Sequence, residues 1–123
     1  LTRFPEVIDL IALFRSEPVV SDASEASDLF YNETTYRFTN AYEQFIVVVS
    51  PAMQEVSIQV THLDSGHLIS SLSLKQVKTF EIMQDDAHAS RILLTLDQGD
   101  ILQTVEIDLR PRFCQQIQEH WVR

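Results

Sequence analysis

Chemistry in this sequence could start from a histidine pair, two aspartate pairs, a lone cysteine, or a run of acids interleaved with aromatic rings. His62-Leu-Asp-Ser-Gly-His67 has the residue types of a metal site, since two imidazoles on one face of a hairpin can share a zinc ion. Asp97 and Asp100 flank Gln98-Gly99, and Asp85-Asp86 opens another polar stretch. Paired carboxylates can bind calcium or divide acid and base roles, but neither stretch has the alternating acids of a calcium loop. Solvated turn chemistry is the reading that aspartate in such places favours.

Cys114 with His120 suggests a thiol and its base, and His88 or His62 are more distant partners for the same thiol. On a helix, six positions turn the chain by roughly 600° and leave the two side chains about 120° apart, so they do not meet. No glycine-rich elbow accompanies the cysteine, which reads as a small apolar residue beside the core. Gly66 and Gly99 are the only glycines, too few for a Walker loop or a dinucleotide fingerprint. No nucleotide, metal or other cofactor is expected.

Apolar periodicity fixes the elements that must carry these residues. Residues 4–15 place Phe4, Val7, Ile8, Ile11 and Phe14 on one stripe at helical spacing, with Pro5 and Glu6 suited to the start and Arg15 to the end. Residues 16–28 lose periodicity and read as a polar loop. From Phe30 the period becomes two, and about seven antiparallel strands follow through residue 110.

Parity decides how these strands pair. The apolar positions of Val56 to His62 and of Leu68 to Leu74 are both even, so an odd loop, Asp64-Ser65-Gly66, sets Ile58 beside Leu72 and Val56 beside Leu74. That register puts His62 and His67 on opposite faces, too far apart to share an ion. An even loop through Asp97 to Asp100 pairs Leu96 with Ile101 and Ile92 with Val105, and a turn at Asn40-Ala41 brings Tyr36 opposite Phe45.

Arg110-Pro111 then precedes Phe113, Ile117, His120 and Trp121 at helical spacing, which predicts a helix over 112–122, with an edge strand over 113–122 as the alternative. The fold class is α+β within one domain, 1–123: an antiparallel meander, open or partly closed into a barrel, with an N-terminal helix and a C-terminal one.

Composition then narrows the function classes. Eighteen acids against nine Lys and Arg give a net charge of −9, which repels nucleic acid and anionic membranes. The longest apolar runs fall far short of the ~20 residues that span a bilayer. A single cysteine favours a reducing compartment, the cytoplasm. The acidity is regional: residues 16–74 hold eight acids against Arg37 alone, for −7, while the rest hold ten acids and eight bases.

Phe30, Tyr31, Tyr36, Phe38, Tyr42 and Phe45 lie in the same region, and their mixed parity suggests rings on both faces of the first hairpin. An acidic face beside aromatic rings suits a basic protein partner, and Glu25, Asp28, Tyr31, Glu33, Tyr42 and Glu43 are the residues expected to meet it. The leading expectation is a non-catalytic interaction module, of the physical class of immunity-type inhibitors that neutralise a basic toxin. A second copy of the chain, meeting at a sheet edge, is another partner this reading admits. Two alternatives are a small barrel around an apolar ligand and a small enzyme using His62, Cys114 or a carboxylate.

Overall fold

The computed structural model describes residues 3–20 and 33–121. One helix, α1 (Val7–Phe14), precedes the strands β1 (Val19–Val20), β2 (Thr34–Thr39), β3 (Glu43–Ser50), β4 (Glu55–His62), β5 (Leu68–Leu74), β6 (Val77–Asp85), β7 (Ser90–Asp97), β8 (Ile101–Arg110) and β9 (Cys114–Trp121). They form two antiparallel sheets, ordered β1-β2-β3-β4-β5 and β6-β7-β8-β9, instead of one seven-stranded meander or a barrel. Lys75 and Gln76 join the sheets, with Gln76 in the left-handed region at φ 60°.

Alternation along the strands builds the core. Tyr36, Phe38, Phe45, Val47, Val49, Val56, Ile58, Val60 and Leu74 point inward from the first sheet, and Phe80, Ile92, Leu94, Val105, Ile107 and Leu109 meet them from the second. Helix α1 adds Leu10, Leu13 and Phe14 to this cluster. The buried stripe is therefore rotated from the expected one, and Ile8 stands 69% exposed. Helical spacing admits several overlapping stripes in so apolar a segment, and contact with β2 selects the one through Phe14. The helix is also shorter than residues 4–15: Phe4 belongs to an extended lead-in whose neighbour Arg3 bridges Thr79, and Phe4 meets the Phe80 ring at 6.1 Å.

The C-terminal helix is replaced by β9, which pairs along β8 from Asp108↔Cys114 to Ile101↔Trp121. Phe113, Ile117 and Trp121 are four apart, a spacing that fits both a helical turn and two strand repeats. The open edge of β8 decides in favour of the strand, since a helix there would leave its ladder groups unpaired. In the stretch read as loop 16–28, Val19 and Val20 form β1 against Thr34 and Thr35, and the remainder lies outside the described residues.

Register follows parity but not always the predicted step. Val56↔Leu74 and Ile58↔Leu72 stand as expected. The other two hairpins keep the expected faces and slide by two residues, giving Phe38↔Phe45, Tyr36↔Val47, Leu94↔Val105 and Leu96↔Gln103. Their turns are centred one residue further along than expected: Asn40 bonds Glu43 around Ala41-Tyr42, and Gln98 bonds Ile101 around Gly99-Asp100. Gly99, at φ 88°, takes the first turn position that glycine tolerates best. In the first hairpin, Phe38 pairing with Phe45 puts even and odd positions on one face, so the described rings Tyr36, Phe38 and Phe45 all lie inside. Rings on both faces are not found among the described residues of these two strands.

Tyr36 is fully buried, and its hydroxyl meets no partner at hydrogen-bonding geometry. Burial pushes its phenol pKa up, with the Thr34 side chain opposing the shift. Tyr36→Phe keeps the ring against Phe14, 5.0 Å away, and removes the unpaired hydroxyl. Its unfolding free energy is expected to be unchanged or higher by up to about 1 kcal/mol. Urea denaturation checks this, and a loss of stability would show that the hydroxyl has a partner.

Candidate functional site

The clearest concavity among the described residues is a groove of about 250 Å³ on the outer side of the first sheet. Strand alternation places it there: Val56, Ile58 and Leu74 turn into the core, so Ser57 and its partner Ser73 turn out. Val48 pairs with Ser57, and this row of one valine and two small serines forms the floor. The next row is Ser50↔Glu55, and Glu33, one residue before the Thr34↔Val49 pair, comes alongside it. Glu33 and Glu55 thus flank the same hollow, and neither carboxylate makes an ion pair or side-chain hydrogen bond with a described residue.

The second sheet treats its charges differently. Arg91 Nε donates to Asp108 at 2.6 Å and lies 3.7 Å from Glu106, and Lys78 lies 3.8 Å from Asp97. All the ion pairs among the described residues belong to that sheet. Glu33 and Glu55, at the first sheet, are left to solvent or to a partner.

The residues expected to meet a partner do not form one patch. Glu25, Asp28 and Tyr31 lie outside the described residues. Tyr42 and Glu43 sit at the β2–β3 turn, whereas Glu33 sits at the other end of the same hairpin, about 20 Å away at strand rise. Glu43 is 5% exposed, and its Oε1 accepts from the Phe113 amide at 3.1 Å. It works as a bracket between the sheets, together with Asn40 Nδ2, which donates to the Leu109 carbonyl at 2.9 Å. Tyr42, 47% exposed, carries the Arg112 guanidinium 4.1 Å above its ring.

The histidine pair needs a correction. A bulge between Val60 and Thr61 shifts the register, so Thr61 faces Leu68 and the His62 amide donates to the His67 carbonyl at 2.8 Å. The loop has four residues, closed by the Gly66 amide on the His62 carbonyl, and the two histidines stand opposite each other instead of on opposite faces. Both are exposed. Glu43 is the β3 partner of His62, but its carboxylate is held by Phe113. No group of three His, Cys, Asp or Glu side chains converges on an ion position among the described residues.

Cys114 and His120 lie on a strand, not a helix, and six residues of strand separate them by about 20 Å. His120 Nε2 lies 3.3 Å from Thr104 Oγ1, and Cys114 is exposed rather than packed in the core. The aspartates serve their turns. Asp97 Oδ1 accepts from the Gly99 amide, and Asp86 Oδ1 accepts from the amides of His88 and Ala89. The Gln84 side chain on Asp86, with those two amides, holds the Asp86 carboxyl pKa down at about 2.

No sequence motif pointed to the groove. The available signal was the Val56–Leu74 register itself, which sets Ser57 beside Ser73 and leaves a hollow where two bulkier side chains would close the surface.

The architecture is that of a two-layer antiparallel β protein sealed by one short N-terminal helix. No family model and no curated protein matches the chain. Its fold is similar to that of a chain in the solved contact-dependent growth inhibition toxin–immunity protein complex from Klebsiella pneumoniae 342, with a TM-score of 0.75, 19% identity and 97% of each chain covered. At that identity the likeness is one of fold. No helix among the described residues is long and apolar enough to cross a membrane.

Proposed function

We propose that this chain is an immunity-type protein, which acts by binding and blocking a toxin and carries out no catalysis of its own. The observation that carries the reading is the fold likeness, across 97% of both chains, to a component of a toxin–immunity complex. The charge supports the immunity side of such a pair: a net −9, with −7 of it in residues 16–74, suits a partner of opposite sign. The first sheet is the surface this reading selects, because its exposed acids form no ion pair among the described residues.

The test is co-expression with the toxin domain encoded beside its gene. Growth rescue and a stoichiometric complex on gel filtration are the expected results, and toxicity undiminished by this chain overturns the proposal. If the acids steer the encounter, the association rate should fall about tenfold or more from low to high salt. Surface plasmon resonance across a salt series measures this, and a flat response would remove the acidic face from the account.

A further inference from the structure

We infer that the outer groove of the first sheet is a subsite for one arginine side chain of the protein partner. Two kinds of acceptor converge there. Glu33 and Glu55 bring carboxylates with no internal cation, and Ser50, only 7% exposed, lines the groove without a side-chain hydrogen bond to any described residue. The Ser50 hydroxyl is therefore open to an incoming donor from the groove side, where the low exposure of the rest of the residue fixes its position. The hydroxyls of Ser57 and Ser73 add acceptors around the same hollow, and Val48 offers an apolar wall for an aliphatic stem.

A planar guanidinium with five N–H donors matches carboxylates and hydroxyls at several angles, whereas an ammonium is a point charge that satisfies fewer of them. The chain does not fill the site from the segment leading into it. Residues 21–32 contain Asp22, Glu25 and Asp28 and no Lys, Arg or His. Arg37 and Lys75, the cations in and beside the first sheet, form no ion pair with Glu33 or Glu55, so the cation is assigned to the partner, and the volume of about 250 Å³ suits one side chain rather than a helix or strand.

The assignment deepens the immunity reading and rests on it for the identity of the partner, but the groove is testable alone. The probe is an acetylated, amidated triarginine peptide titrated into the ¹⁵N-labelled full chain. Shifts concentrated at the Ser50, Glu55, Ser57 and Ser73 amides are expected, with a tricitrulline peptide inert and trilysine weaker. Glu55→Gln should weaken binding about five- to tenfold, while Asp64→Asn, which removes an equal charge from the β4–β5 loop, should not.

Shifts spread evenly over the acidic surface, equal binding by trilysine, or groove amides that respond to calcium and not to triarginine would each overturn the assignment. The peptide comparison uses the unaltered protein, so it decides the matter even if a variant fails to fold. A chain that blocks its toxin while the groove ignores triarginine defeats only this inference. A chain that fails against the toxin while the groove responds defeats only the toxin reading.

Discussion

Phe45→Ala is expected to destabilise the protein by about 3–5 kcal/mol, a large part of the roughly 5–15 kcal/mol that holds a domain of this kind together. Phe45 is fully buried at the centre of a ring column. Its ring stacks on Phe38 at 4.8 Å with planes 3° apart, and Phe38 in turn stacks on Phe14 of the helix at 4.9 Å. On its other side Phe45 meets the edge of Phe113, the residue that leads into β9, at 6.1 Å. One side chain therefore joins the first sheet to the helix and to the second sheet, and alanine leaves a cavity where all three meet. Chemical denaturation gives the value directly. Trp121→Ala is the internal control, since that ring is 76% exposed and its loss should change stability by no more than about 0.5 kcal/mol.

Arg110→Met should cost about 2–4 kcal/mol for a different reason. The Arg110 Nη1 atom donates to the Leu13 carbonyl at 2.9 Å and to Ser90 Oγ at 2.8 Å, and Nη2 reaches the Phe14 carbonyl at 3.5 Å. These carbonyls belong to the last turn of α1, where the chain has no further amides to offer and a cation is favoured. The guanidinium also lies 5.9 Å from the Phe38 ring centre. Burial lowers its pKa, the nearby Arg15 charge adds to that, and the Asp85 carboxylate opposes it. Methionine keeps most of the stem and removes every donor, so the helix-end carbonyls of Leu13 and Phe14 lose their partner, while the Ser90 hydroxyl keeps its bond to Asp85. Arg110→Lys should recover only part of the loss, because an ammonium does not span both the helix end and Ser90. A lysine variant as stable as the parent would show that charge alone matters at this position.

How far the sequence specifies this fold depends on what parity can and cannot determine. Even or odd loop length fixes which face a side chain takes, so the Ile58↔Leu72 pairing and the inward faces of β7 and β8 are readable from alternation alone. A slide of two residues preserves every face, and nothing in alternation resists it. Both hairpins that moved by two did so by centring the turn one residue further along, on Ala41-Tyr42 and on Gly99-Asp100. The bulge at Val60 breaks the parity rule itself, which is why His62 and His67 changed relative position. The last strand stayed a second reading because a four-residue spacing is common to both secondary structures. Two-residue β1 is too short to show any period.

The candidate site was legible only in part. Glu33 stood among the acids of the first hairpin, but Glu55 gains its meaning from Ser50 across the ladder and from two serines that look like ordinary surface residues. Glu43 illustrates the opposite difficulty. It counts as one unit of the regional charge in the sequence, yet the fold spends it on the Phe113 amide inside the protein.

The reach of Arg110 back to Leu13, across 97 positions, also governs the order of events in time. Each sheet grows from neighbouring hairpins, whose loops are short and close with little entropic cost. The clasp on the helix closes a separation of 97 positions and can form only once β8 is in place. On the ribosome the first sheet can assemble as it emerges, while the clasp on α1 waits for a residue synthesised 97 positions later.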